Sequence, residues 1–144
     1  MSIEEWKHLL TEWRELAERA HQGHYNASAF YERLFLMLGI PVIVLSALTG
    51  GSEVLGILGS QIGGVISLVI AVLAGLQTFL KFSQRAERHR VAGASYGGIR
   101  RSIEEVSIVL DDGGDNAREE VHGIKEQLDS LAKECPEIPK RFLK

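Results

Sequence analysis

Between residues 34 and 80 the chain carries a single ionisable side chain, Glu53, which sits in the Gly-rich stretch Gly50-Gly51-Ser52-Glu53 between two apolar blocks. A chain written this way predicts a membrane hairpin. At a rise of about 1.5 Å per residue, the uncharged run Leu34 to Ser52 spans roughly 28 Å as a helix, about one hydrocarbon core. The second block, Val54 to Leu80, is longer. Leu, Ile, Val and Phe side chains near a bilayer centre each contribute about −0.3 to −0.6 kcal/mol. Those of Leu34 to Leu48 therefore sum to roughly −3 to −6 kcal/mol, and those of Ser60 to Leu80 contribute as much, with no charge to oppose them.

The chain-wide mean hydropathy of +0.02 averages two unlike parts, because polar segments on either side dilute the apolar blocks. A net charge of −3 argues against a nucleic-acid partner, and a lipid bilayer is the better expectation. The lone cysteine, Cys135, cannot staple the fold and suits a reducing cytosol. No apolar h-region of a signal peptide precedes the first block. Arg14, Arg19 and Arg33 precede the first block, Lys81, Arg85, Arg88 and Arg90 follow the second, and the connection from Thr49 to Gln61 has no basic residue. The positive-inside rule then puts both termini in the cytoplasm and the connection outside.

Outside the spans, helical periodicity recurs. Ser2 and Glu5 have the spacing of a capping box, and Ile3, Trp6, Leu10, Trp13, Leu16 and Ala20 follow at three and four. Gly23 is expected to break this helix and Asn26 to restart it into the first span. After the second span, Phe82, Ala86, His89, Ala92, Tyr96, Ile99, Ile103, Val106 and Leu110 form a long stripe. The spacing predicts an unbroken continuation of the spanning helix, ended at Asp111-Asp112-Gly113-Gly114. Asp115 can cap a further helix striped by Val121, Ile124, Leu128, Leu131 and Cys135 and stopped by Pro136 and Pro139. The expected fold is thus all-α: an N-terminal cytosolic helix (1–33), a two-transmembrane hairpin (34–80) and cytosolic helices (81–144) that bury their stripes as a bundle.

Two features of the spans stand out. Pro41 lies inside the first and predicts a kink around Met37 to Pro41, a packing feature or a hinge. In the second, Ser60, Gly64, Ser67, Ala71, Ala74 and Thr78 recur at intervals of three and four as a seam of small residues. Such seams let helix backbones approach in lipid, where no hydrophobic force joins helices. The seam serves packing, within the hairpin or between copies, or else its hydroxyls line a pore. In the second case Lys81 and Arg85 ring the cytoplasmic mouth and Glu53 the outer one.

Catalytic chemistry finds little support. Glu5 and His8, Glu18 and His21, and Glu119 and His122 have the spacing found in di-iron bundles, but they fall mostly off the apolar stripes and read as solvated side chains. His21 and His24, three apart, are discounted as metal ligands on the same ground. Gly93, Gly97 and Gly98 read as close-packing positions in a helix. No catalytic residue, metal site or cofactor is expected.

Ala86, His89, Arg90, Ala92, Tyr96, Ile99, Arg100, Arg101 and Ile103, with Cys135-Pro136-Glu137-Ile138-Pro139 near the end, resemble the SLATT family, the two-transmembrane domains associated with prokaryotic conflict systems. The likeness covers nearly the whole chain. It implies an effector that opens pores or perturbs a membrane when a sensor, often a nucleotide-signalling partner, is triggered, and the hydroxyl-bearing seam and cytosolic stripe suit a homo-oligomer whose second spans gather around an ion-conducting path. The rival expectations are a non-conducting membrane scaffold that recruits partners through its helices, and a soluble bundle with residues 34 to 80 buried inside.

Overall fold

The computed structural model describes residues 3–55, 59–111 and 117–143 and, within them, all side chains but those of 52–55, 60, 111 and 117. The expected caps Ser2 and Asp115 lie outside these residues. Four α-helices, α1 (Ile3–Leu55), α2 (Ser60–Leu80), α3 (Phe82–Asp111) and α4 (Ala117–Glu134), are followed by a 3₁₀ turn, Lys140–Phe142. Among the described residues no strand occurs. The chain divides into two compact units: unit 1 holds Met1–Ser28 and Glu87–Lys144, and unit 2 holds Ala29–Ala86.

Unit 1 is built on the stripes. Leu10 and Ala17 of α1 meet Tyr96, Ile99, Ile103, Val106 and Leu110 of α3 and Val121 and Ile124 of α4, with Trp6, Trp13, Leu128, Leu131 and Cys135 packed around them. Leu10, Ile103 and Val121 are fully buried, and each such side chain contributes about 1.5 to 3 kcal/mol. The α3 and α4 stripes fall where the spacing places them. On α1, however, Ala17 and not Leu16 points inward, and Leu16 is exposed. The step from Trp13 to the core is four residues, which keeps the stripe on one face.

Gly23 does not break α1. It is buried, and a Cβ there would lie 3.2 Å from two carbons of Ile138 and 3.5 Å from the Phe142 carbonyl oxygen. Here glycine makes room for the segment after α4, which Pro136 and Pro139 keep out of helix so that it can lie on α1. The local helix penalty of about 1 kcal/mol is offset by this packing.

In unit 2, residues 29–55 of α1 and helix α2 run antiparallel, with Gly39 against Gln77 and Tyr31 against Phe82 at the start of α3. Half-buried rows run through Phe35, Leu38, Val42 and Leu45 on α1 and through Ile66, Ile70, Leu73, Gln77 and Leu80 on α2. Buried Thr49 and Gly63 extend the two rows. Both rows step by three and four. The opposite faces are bare: Met37 is 71 % exposed and Phe79 83 %, with Ile43, Leu48, Val65 and Leu68 close behind. Two helices are long and apolar enough to cross a membrane, and only 6 % of the most apolar window of each is buried. A soluble bundle would have to cover those windows, and among the described residues nothing does.

Two boundaries differ from the sequence expectation. α1 runs through Gly50 and Gly51 to Leu55, so the connection is shorter than the glycines suggest. Pro41 is an interior residue of α1, as its place in the first apolar block implies. The second span and α3 are not continuous, because Lys81 between them adopts φ 48 and ψ 41. Among the described non-glycine residues it alone has a positive φ. Its carbonyl still accepts the Arg85 N–H at 3.1 Å, so α3 starts at once after the break.

Candidate functional site

The small-residue seam lies one position beyond the packed row of α2 at almost every step: Gly64 follows Gly63, Ser67 follows Ile66, Ala71 follows Ile70 and Thr78 follows Gln77. One residue is about 100° around a helix. Most of the described seam is accordingly not used inside the chain. Gly64, Ser67, Ala71 and Thr78 are exposed, Ala74 is half-buried, and a Cβ on Gly64 would meet nothing within 4 Å. The Ser60 side chain lies outside the described residues. The Thr78 hydroxyl donates to the Ala74 carbonyl at 3.0 Å.

The proposed mouth residues are placed as follows. Glu53 is in the last turn of α1, its side chain outside the described ones. Lys81 is exposed at the break, and the Arg85 guanidinium lies 5.9 Å from the Tyr31 ring centre. Tyr31 also stacks with Phe82 at 6.3 Å. An aromatic pair topped by a cation is the composition of a membrane–water boundary. Pro41 is exposed, and Ser46 and Thr49, beyond it on α1, return their hydroxyls to the carbonyls of Val42 and Leu45.

No protein-family model, curated protein or solved structure matches this chain. Its residues have to speak for themselves.

A second cluster lies in unit 1, where the histidines depart from expectation. His8 and His122 are exposed, as their positions off the stripes predict. His21, His24 and His89 are not solvated. His24 is 2 % exposed and His89 5 %, and their Nδ1 atoms lie 2.9 Å apart, one ring donating to the other. His24 stacks on Tyr96, with ring centres 5.6 Å apart. His21 donates from Nδ1 to the Gly93 carbonyl at 2.8 Å and meets the Tyr25 ring edge-on. Glycine explains how α1 and α3 come so near. A Cβ on Gly93 would lie 2.9 Å from a Tyr25 ring carbon, and one on Gly97 2.8 Å from His21 Nδ1. Gly98, by contrast, has open space beyond it and is not a packing position.

Burial, with the nearby His89 charge second, lowers the pKa of His24 to about 4. Burial lowers His89 as well and raises Tyr96, on which the Cys135 charge also acts. One helical turn away, Arg100 donates to Glu18 at 2.6 Å, which together with Gln22 holds the Glu18 carboxyl below its ordinary range. Arg100 is raised in return. Among the described residues no group of three or more metal-ligating side chains forms.

The signal for this cluster was present in the sequence. Continuing the α1 row from Ala17 through Ala20 to His24 and Ala27 puts His24 on the inward face, and His89 already sits on the α3 stripe. The expected stop at Gly23 concealed it.

Proposed function

We propose that the chain is a homo-oligomeric membrane protein whose two apolar helices cross the bilayer as a hairpin, both termini cytoplasmic, and whose second spans gather around an ion-conducting path. One observation carries this reading. The seam Gly64, Ser67, Ala71 and Thr78 is turned away from the chain's own first span and is free for another copy. Without a hydrophobic force between helices in lipid, a continuous small-residue row is an association surface. The Tyr31, Phe82 and Arg85 group supports a membrane boundary at the end of the second span. Lys81 and Arg85 then sit at the inner mouth and Glu53 at the outer one. The SLATT likeness adds the setting, a defence effector triggered by a sensor or nucleotide-signalling partner.

Purified protein in a planar bilayer is expected to give unitary currents that change when Ser67 or Ala71 becomes Leu. Silence of the wild-type chain under all conditions tried would remove the conducting path. Cysteines placed at Thr11 and Lys125 should be labelled from the same side of the membrane; labelling from opposite sides would remove the hairpin.

A non-conducting scaffold is the second reading, favoured by the Thr78 hydroxyl, which is already satisfied by the Ala74 carbonyl and needs no water. In that case Gly64→Leu abolishes assembly, seen by cross-linking, and there is no current to lose.

A further inference from the structure

We infer that His24 and His89 form a proton-operated latch that holds α1 against α3 in unit 1 when neutral and releases it when protonated. The inference is independent of the proposed conduction, because it concerns unit 1 alone.

The geometry sets the chemistry. With both rings neutral, one Nδ1–H donates to the other Nδ1 lone pair across 2.9 Å. That arrangement holds one proton between two nitrogens. A first added proton goes to a ring that is almost wholly out of water, and a second would set two N–H groups against each other at the same distance. The rings have little room to turn away. His24 is 2 % exposed, its ring is stacked on Tyr96 on one side, and its Cβ packs close to the α3 backbone at Gly93. The protonated pair therefore relaxes by separating the two helices.

The neighbouring titratable and charged groups do not offset a charge on His24. On α1, His21 is engaged with the Gly93 carbonyl and Tyr25 presents its ring to His21. Glu18 is bound to Arg100 and Gln22. On α3, Glu87 and Arg90 pair with each other across one turn at 2.6 Å, and Tyr96 offers its ring face. From the segment after α4, Cys135 acts on Tyr96. The charge that acts on His24 is that of His89, which is of the same sign. Both histidines are displaced downward by burial, so the open form takes up protons first as pH falls. For His24 the ratio of open to closed rises by up to about tenfold per pH unit between its ordinary pKa near 6.5 and about 4, and His89 adds in the same direction.

Hydrogen exchange on the full chain in nanodiscs, corrected for the intrinsic pH dependence, tests this. Between pH 7.5 and 5.0, peptides covering residues 17–28 and 89–99 are expected to lose protection by about tenfold or more relative to peptides from 121–131. His24→Asn and His89→Gln are each expected to reduce that pH dependence, and the double variant to abolish it. Equal protection at both pH values, or an undiminished pH response in the double variant, would overturn the latch. Carbon-13 histidine NMR on the wild-type chain covers the case of a variant that does not fold. His24 should stay neutral down to about pH 5, and a His24 that titrates at its ordinary value near 6.5 would also overturn it.

Discussion

A methyl group on Gly97 would come within 2.8 Å of Nδ1 of His21, the nitrogen that donates to the Gly93 carbonyl. One small side chain on α3 thus lets an α1 side chain reach the α3 backbone. Neither Gly97 nor Gly93 is in a turn, and neither needs an unusual φ. Their role is the close approach of two helices.

Adding that methyl therefore has a sign that depends on the neighbour. Gly97→Ala and Gly93→Ala are expected to destabilise unit 1 by about 1 to 3 kcal/mol through overpacking. Gly98→Ala, next to Gly97 but facing open space, is expected to stabilise by about 0.5 to 1 kcal/mol through helix propensity. Denaturant unfolding followed by circular dichroism distinguishes the three, and equal effects at 97 and 98 would contradict the close approach.

Lys81 holds a left-handed conformation that costs a non-glycine residue about 1 to 2 kcal/mol. Lys81→Gly removes that cost but frees the unfolded chain, for a net gain of about 0.5 to 1 kcal/mol. A β-branched replacement, Lys81→Val, should be destabilising. If Lys81→Gly lowered the melting temperature and Lys81→Val raised it, the break between α2 and α3 would be in error.

Gly23 seats Ile138 and the Phe142 carbonyl on α1. Gly23→Leu cannot share that space, so the segment after α4 is expected to leave the helix. Limited trypsin digestion should then cleave after Lys140 and Arg141 at least about tenfold faster than in the wild-type chain, which reports local opening. An unchanged cleavage rate would show that the segment is not held at Gly23.

The stability of unit 1 should fall with acid in two windows. His24 has a folded pKa lowered to about 4 from an ordinary 6.5. The opened state therefore binds more protons in between, and the stability is fully present above about 6.5 and declines down to about 4, by roughly 3 kcal/mol at most. Glu18 is displaced the same way by its hydrogen bond from Arg100, so its contribution is present above about 4.5 and is lost only below that. Melting temperatures at pH 7.5, 6.0 and 5.0 should drop in the wild-type chain, drop less in His24→Asn and stay level in the double variant with His89→Gln. A wild-type melting temperature that does not move over this range would refute the first window.

Legibility in the sequence followed the range of the physics involved. The row Ala92, Tyr96, Ile99, Ile103, Val106 and Leu110 could be read directly, because an apolar stripe at three and four has one cheap solution, burial against other stripes. The end of α4 before Pro136 was legible for the same local reason. Gly23 misled because its propensity argues for a stop, while the carbon atoms of Ile138, 115 positions further along, argue for continuity. Lys81 misled differently: lysine carries no signature of a left-handed residue, so the local sequence does not mark the break. At the second span the small residues were visible, but two adjacent rows of one helix compete to face the first span, and pattern alone does not choose between them.

What the sequence by itself determined is which stretches are helical and which are long and apolar enough to cross a membrane, since both are sums over neighbours along the chain. Only the tertiary structure decided that His24 meets His89 out of water, that the row through Ile66 and Ile70 faces α1, and that the seam through Ser67 and Ala71 stays bare. Burial of a polar ring, or exposure of a small one, is a property of two surfaces brought together, and a single helix holds only one of them.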